Sequence, residues 1–193
     1  MIDCIFSGHC MNAFCDKSCP TYTESNYLLD RNSIDISNSA FAQGKESINY
    51  CESILAQAEG KMVVVPSKST TDLANNLTYC AVCHNWRGSQ LRCAVYNLKF
   101  YHYLELVKKS WSANANTTEL DYMNIFAKKA KVLIISNMDY VNFKNFECQT
   151  LLQLIQARNN LSTILVTPSI SSLVGDGPFF GNLSEQLKRA VIK

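Results

Sequence analysis

The stretch Lys131 to Ser169 constrains the fold of this chain more than any other. Val132-Leu133-Ile134-Ile135 is a short continuous apolar run, the pattern of a strand buried on both faces of a parallel sheet. The polar turn Ser136-Asn137-Met138-Asp139 follows it. Leu151, Leu152, Leu154 and Ile155 then recur at helical spacing through a predicted amphipathic helix from Phe146 to Arg158. Asn159-Asn160 stops that helix, and Thr163-Ile164-Leu165-Val166-Thr167 reads as a second buried strand. Two parallel strands need a crossover, and a helix supplies it, so the segment is a βαβ unit.

The rest of the chain from Glu46 repeats the same logic. Ile48, Cys51, Ile54, Leu55 and Ala58 form a helical stripe closed by Gly60. Met62-Val63-Val64-Val65 is a strand, and a helix runs from Asp72 to about Trp86. A strand from Leu91 to Leu98 precedes a helix from Phe100 to Trp111 that presents Tyr103, Leu104, Val107 and Trp111 on one side. A helix from Leu120 to Lys129 leads into Val132, and a short last helix spans Leu183 to Val191. The alternation of strand and helix predicts an α/β domain over residues 46–193 with a parallel sheet in three αβα layers. Apolar residues make up 47% of the 193 positions, enough for its core.

Residues 1–30 read as a separate module. Cys4, Cys10, Cys15 and Cys19 follow C-x5-C-x4-C-x3-C, with His9 adjacent and little apolar material nearby. A segment that small needs a staple, and four thiolates in a short loop suit tetrahedral zinc, with an iron–sulfur cluster or disulfides as alternatives. The polar residues 31–45 form a linker. The chain holds nine cysteines, an odd number that argues against a fully paired disulfide framework. No basic-then-apolar leader opens the sequence and no run approaches a membrane span, so a reduced, cytoplasmic protein is expected. Cys80-Ala-Val-Cys83-His84 resembles half of a zinc site, but Leu73, Leu77, Cys80 and His84 share one helix face, which favours buried structural cysteine.

The loop Pro66 to Thr71 stands where a phosphate cradle would stand, after a strand and before a helix. Such a cradle needs glycines, for close backbone approach, and a lysine directly before a Ser/Thr. Here Lys68-Ser69-Thr70-Thr71 has no glycine, and Thr70 takes the lysine's position. Lys128, Lys129 and Lys131 make a local basic cluster. A net charge of +2 does not by itself imply nucleic acid.

The order of elements, with Thr71-Asp72-Leu73-Ala74, Val132 to Ile135, Gln149 to Ile155 with Arg158, Ile164 to Ser169 and Phe180 to Arg189, resembles the AAA+ core of bacterial and phage helicase loaders. The resemblance implies a P-loop NTPase-like core and a replication role, and the cysteine module is similar to that of phage and mobile-element members. It also implies paired acids at the end of the second strand and a sensor asparagine. This chain has Ser136 and Asn137 at the first place, Asp139 two residues late, and Ser169 at the second. With no phosphate lysine either, the expectation is a pseudo-ATPase that binds no ATP. Its expected partners are a replicative helicase, an active loader, or DNA through Lys128, Lys129, Lys131, Lys188 and Arg189. Two alternatives stand beside this: an ATPase with a displaced site using Lys68 and Asp139, and a cysteine-based interaction or redox protein.

Overall fold

A computed structural model describes residues 32, 45–85, 95–169 and 178–190. Four strands form one sheet, all parallel, in the order β1-β4-β3-β2: β1 (Met62–Pro66), β2 (Val95–Lys99), β3 (Val132–Ser136) and β4 (Ser162–Thr167). Met62 lies opposite Thr163, Leu133 opposite Thr163 on the other side, and Val95 opposite Val132. The β1-to-β2 connection therefore spans the whole sheet, and β3 and β4 fill the gap on the way back.

Alternation along each strand sorts the apolar side chains into two cores. On one face Val63, Val65, Val95, Ile134, Ile164 and Val166 pack against α1 (Lys45–Gln57) and α2 (Thr70–Asn85), which contribute Cys51, Ile54, Leu77, Cys80 and Ala81. On the other, Val64, Leu98, Leu133, Ile135 and Leu165 meet α3 (Phe100–Lys109), α4 (Thr118–Lys129), α5 (Asn145–Gln156) and α6 (Pro178–Arg189). β3 is buried at all five positions, as its continuous apolar run requires. Gly60 at φ +67° and Asn160 at φ +64° reverse the chain after α1 and α5, where glycine and asparagine tolerate the left-handed region.

Two expectations need correcting. Helix α3 stops at Lys109, and Trp111 lies beyond it at 68% exposure, its ring edge-on to Phe146 with centroids 5.1 Å apart. The backbone N–H of Ser110 closes the last turn, so the helical period no longer aims Trp111 inward. The last helix begins at Pro178 rather than Leu183: proline suits a first helical turn, where its missing N–H has no partner to lose. Residues 91–94, the cysteine module and the side chains of Cys83, His84 and Lys188 lie outside the described residues.

Arg158 ties three elements together at the end of the sheet where β3 and β4 begin. It is 2% exposed. Its Nη1 donates to Ala127 O (2.5 Å), its Nη2 to Ala130 O (2.9 Å) and Ser162 O (2.8 Å), and its Nε to Thr163 Oγ1 (2.9 Å). The guanidinium thus satisfies carbonyls at the end of α4 and the start of β4, and burial lowers its pKa to about 10.

Candidate functional site

In a parallel sheet the loops beyond the carboxyl ends of the strands gather on one edge, the usual place for a ligand. Here the strand order sets the ends of β1, β4 and β3 side by side. The segments that sequence reasoning singled out after those strands therefore share one edge.

The β1–α2 connection is short: Ser67, Lys68 and Ser69 separate Pro66 from Thr70. Two of its three backbone donors are already engaged. Ser67 N–H donates to Thr167 O (2.8 Å), and Ser69 N–H to Ser67 Oγ (3.2 Å). The Ser69 hydroxyl donates to the carboxylate of Asp72, in the first turn of α2. That carboxylate sits where the positive end of the helix dipole would otherwise attract an anion. Lys68 and Thr71 are exposed, whereas Thr70 is 5% exposed and turns toward β3.

Thr70 Oγ1 donates to Asp139 Oδ1 at 3.3 Å. Asp139 reaches this position because the chain kinks just after β3, where Asn137 takes φ +56° and Met138 turns into the core at 1% exposure. Asparagine is among the few residues with a side chain that adopt this φ readily. Thr71 is the residue that fits the phosphate-loop spacing, yet Thr70 is the threonine that meets the late acid. The two differ by one helical step of about 100°, which decides whether a side chain faces the sheet edge or solvent.

Ser136 does something else. It is 2% exposed, and its hydroxyl donates to Asn97 Oδ1 (2.8 Å) on β2, while Asn97 N–H donates to Asn32 Oδ1 (2.6 Å). This buried polar chain fastens β3 to β2 and covers part of β2's outer edge. After β4, Thr167 is fully buried and donates to Ser169 O at 3.0 Å, with Ser169 half-buried.

The basic candidates are elsewhere. Lys128, Lys129 and Lys131 are exposed at the end of α4 and just before β3, the opposite end of the sheet from Asp139. A five-residue strand is about 17 Å long, so no single ligand the size of a nucleotide touches both groups. Arg189 is exposed and pairs with Glu185 at 3.5 Å on the same helix.

Three features carried little sequence signal. His102 Nε2 lies 2.9 Å from Glu119 Oε1, joining α3 to α4 at the rim of a groove of about 840 Å³ along β2 that Tyr96, Asn97, Tyr122 and Phe126 line. Lys108 Nζ donates to Glu147 Oε1 at 2.8 Å, and Glu147 Oε2 accepts from Lys144 N–H at 3.1 Å. Burial raises the Glu147 carboxyl, but these hydrogen bonds outweigh it and hold the group below its ordinary range. Cys51 and Cys80 meet between α1 and α2, and the hydrogen bond from Cys80 lowers the Cys51 thiol against the opposing effect of burial. Among the described residues no cluster of three His, Cys, Asp or Glu side chains is spaced to hold a metal ion, and no helix is long and apolar enough to cross a membrane.

No protein-family model matches this chain, and no curated protein matches it.

Proposed function

We propose that this chain is a non-catalytic DNA-replication accessory protein on a degenerate, AAA+-like core, engaging a replicative helicase, an active loader or DNA without hydrolysing ATP. The observation that carries the reading is the β1–α2 connection. Three residues without glycine span it, the N–H groups of Ser67 and Ser69 are consumed internally, and Asp72 occupies the helix start with its own negative charge. Phosphate would have to displace that carboxylate and reopen those bonds. The strand order supports the P-loop-like part, because it gathers the three segments that the resemblance assigns to one nucleotide site. The lysines at the far end of the sheet are then available to an acidic partner or to DNA phosphates, with binding that weakens as salt rises.

A second reading draws on the 3.3 Å contact of Thr70 with Asp139: an ATPase with a displaced site, using Lys68 for phosphate and Asp139 for Mg²⁺. Thermal unfolding with and without MgATP separates the two. A bound nucleotide at 100 times its Kd adds about 2.7 kcal/mol to stability, a rise of several degrees in Tm. The accessory reading expects no rise at millimolar MgATP. A rise that Lys68→Ala abolishes would transfer the conclusion to the displaced-site ATPase. The partner half is tested by retention of an identified replicative helicase or full-length loader on the immobilised protein. Retention of neither by folded, soluble protein rejects it.

A further inference from the structure

Helix α4 carries the clearest unassigned surface. Its inner face, Leu120, Met123 and Ala127, is buried against the sheet. Its outer face runs Asp121, Tyr122, Ile125, Lys128, Lys129, all exposed, with Tyr122 at 59% and Ile125 at 46%. Acids at the start of a helix and lysines at its end suit the helix dipole. The dipole gives no reason for a tyrosine and an isoleucine standing in water between them.

The pattern complements itself when reversed. If a second α4 lies antiparallel across the first with Ile125 on the two-fold axis, Ile125 meets its own copy. Asp121 and Lys128 flank Ile125 on one side of the helix and Tyr122 and Lys129 on the other, so Asp121 then faces the partner's Lys128, and Tyr122 faces the partner's Lys129. Each contact occurs twice, as an isologous interface requires. A parallel arrangement would set lysine on lysine and aspartate on aspartate. Tyrosine under a lysine ammonium gains a cation–π contact, and the reversed ends pair charges of opposite sign. Asp121 also accepts from Thr117 Oγ1 at 3.0 Å, which holds the carboxylate at the helix start without exhausting its acceptors.

We propose that the outer face of α4 is a self-association surface, through which two copies of this chain pair with α4 antiparallel to α4. The inference does not rest on the replication reading, and self-association would compete with an acidic partner or DNA for Lys128 and Lys129. One 12-residue helix against its copy buries less than the roughly 1,200 Å² of a stable interface, so the dimer is weak and reversible, with a Kd on the order of 10⁻⁴ M.

Sedimentation equilibrium from about 10 µM to about 1 mM at low salt spans the range in which such an interface forms. The expected result is a monomer–dimer equilibrium that weakens as salt screens the end pairs. Ile125→Asp should abolish it. Asp121→Lys and Lys128→Asp should each weaken it about tenfold, and the double variant should return to within about threefold of the parent. These positions are exposed, and circular dichroism of each variant is the control for folding. Monomer throughout the range overturns the proposal and leaves the face to a different occupant. A dimer indifferent to Ile125→Asp assigns the contact elsewhere, and a double variant no better than either single change refutes the antiparallel register.

Discussion

Replacing Arg158 by methionine is the sharpest test of how this fold is held. The substitution keeps most of the side-chain volume and removes four hydrogen bonds. It strips the guanidinium donors from three carbonyls, those of Ala127, Ala130 and Ser162, each costing about 1–3 kcal/mol if it stays buried and unsatisfied. Against that, methionine relieves the burial of a charge that has no carboxylate paired with it among the described residues, an offset of several kcal/mol. The balance is a loss of about 3 kcal/mol, out of a total stability of roughly 5–15 kcal/mol. At about 2–4 °C per kcal/mol for a chain of this size, Tm should fall by about 6–12 °C. Urea unfolding followed by circular dichroism gives the free energy directly. The folded pKa of about 10 lies below the unfolded value, so the guanidinium is charged in both states below that pH. The difference between parent and variant should therefore be flat from pH 6 to 9 and begin to grow only above about pH 10. A loss within about 1 kcal/mol would mean that water or backbone adjustment satisfies the carbonyls and that Arg158 is no clamp.

Glu147 has a lowered folded pKa, so the unfolded chain binds its proton first and the stabilisation it contributes fades as pH falls through the carboxylate range, below about 4. In acid titrations Glu147→Gln should flatten that part of the stability profile, and an unchanged profile would remove the Lys108–Glu147 pair from the account. Asn97→Ala leaves the Ser136 hydroxyl without its buried acceptor and should cost about 1–3 kcal/mol, whereas the exposed Thr71→Ala should cost under about 0.5 kcal/mol; equal losses in urea melts would contradict the burial difference. Zinc in Cys4, Cys10, Cys15 and Cys19, which lie outside the described residues, predicts one metal equivalent by elemental analysis of purified protein, lost when Cys10 and Cys15 are both changed to serine. Stoichiometric metal in that double variant would send the ligand search elsewhere.

β1, β3 and β4 were readable because each is a short apolar run closed by a turn residue, whereas β2 carries Asn97 and runs straight into α3 at Phe100. Helix ends were less readable: the period through Phe100 to Trp111 carries no mark of where the hydrogen-bond ladder stops, and Pro178 looks as much like a loop residue as a first helical one. The site fared in between. Lys68 to Thr71 and Ser136 to Asp139 could be located, yet which threonine meets Asp139 depends on a three-residue connection and one left-handed asparagine. Arg158 was visible only as the end of a helix, because its acceptors are mostly backbone carbonyls and every residue has one. Asn97 did leave a trace. A lone amide between Tyr96 and Leu98 in an apolar strand demands a buried partner, and Ser136 across the ladder is that partner.

The register of β1 has a consequence for how the chain is made. Met62 to Pro66 pairs with Thr163 to Thr167, about 100 residues later in synthesis. At about 5–20 residues per second, the ribosome holds an unpaired apolar strand for roughly 5–20 s before its partner emerges. Helices α1 and α2 are complete long before then, with one side of β1 to lie against and no ladder to lock it. β2 and β3 are made closer together, and β4 completes the sheet by entering between β3 and the waiting β1. The nascent protein therefore depends on what shields Val63, Val64 and Val65 during that interval, and a slowly translated message should yield more aggregate than a fast one.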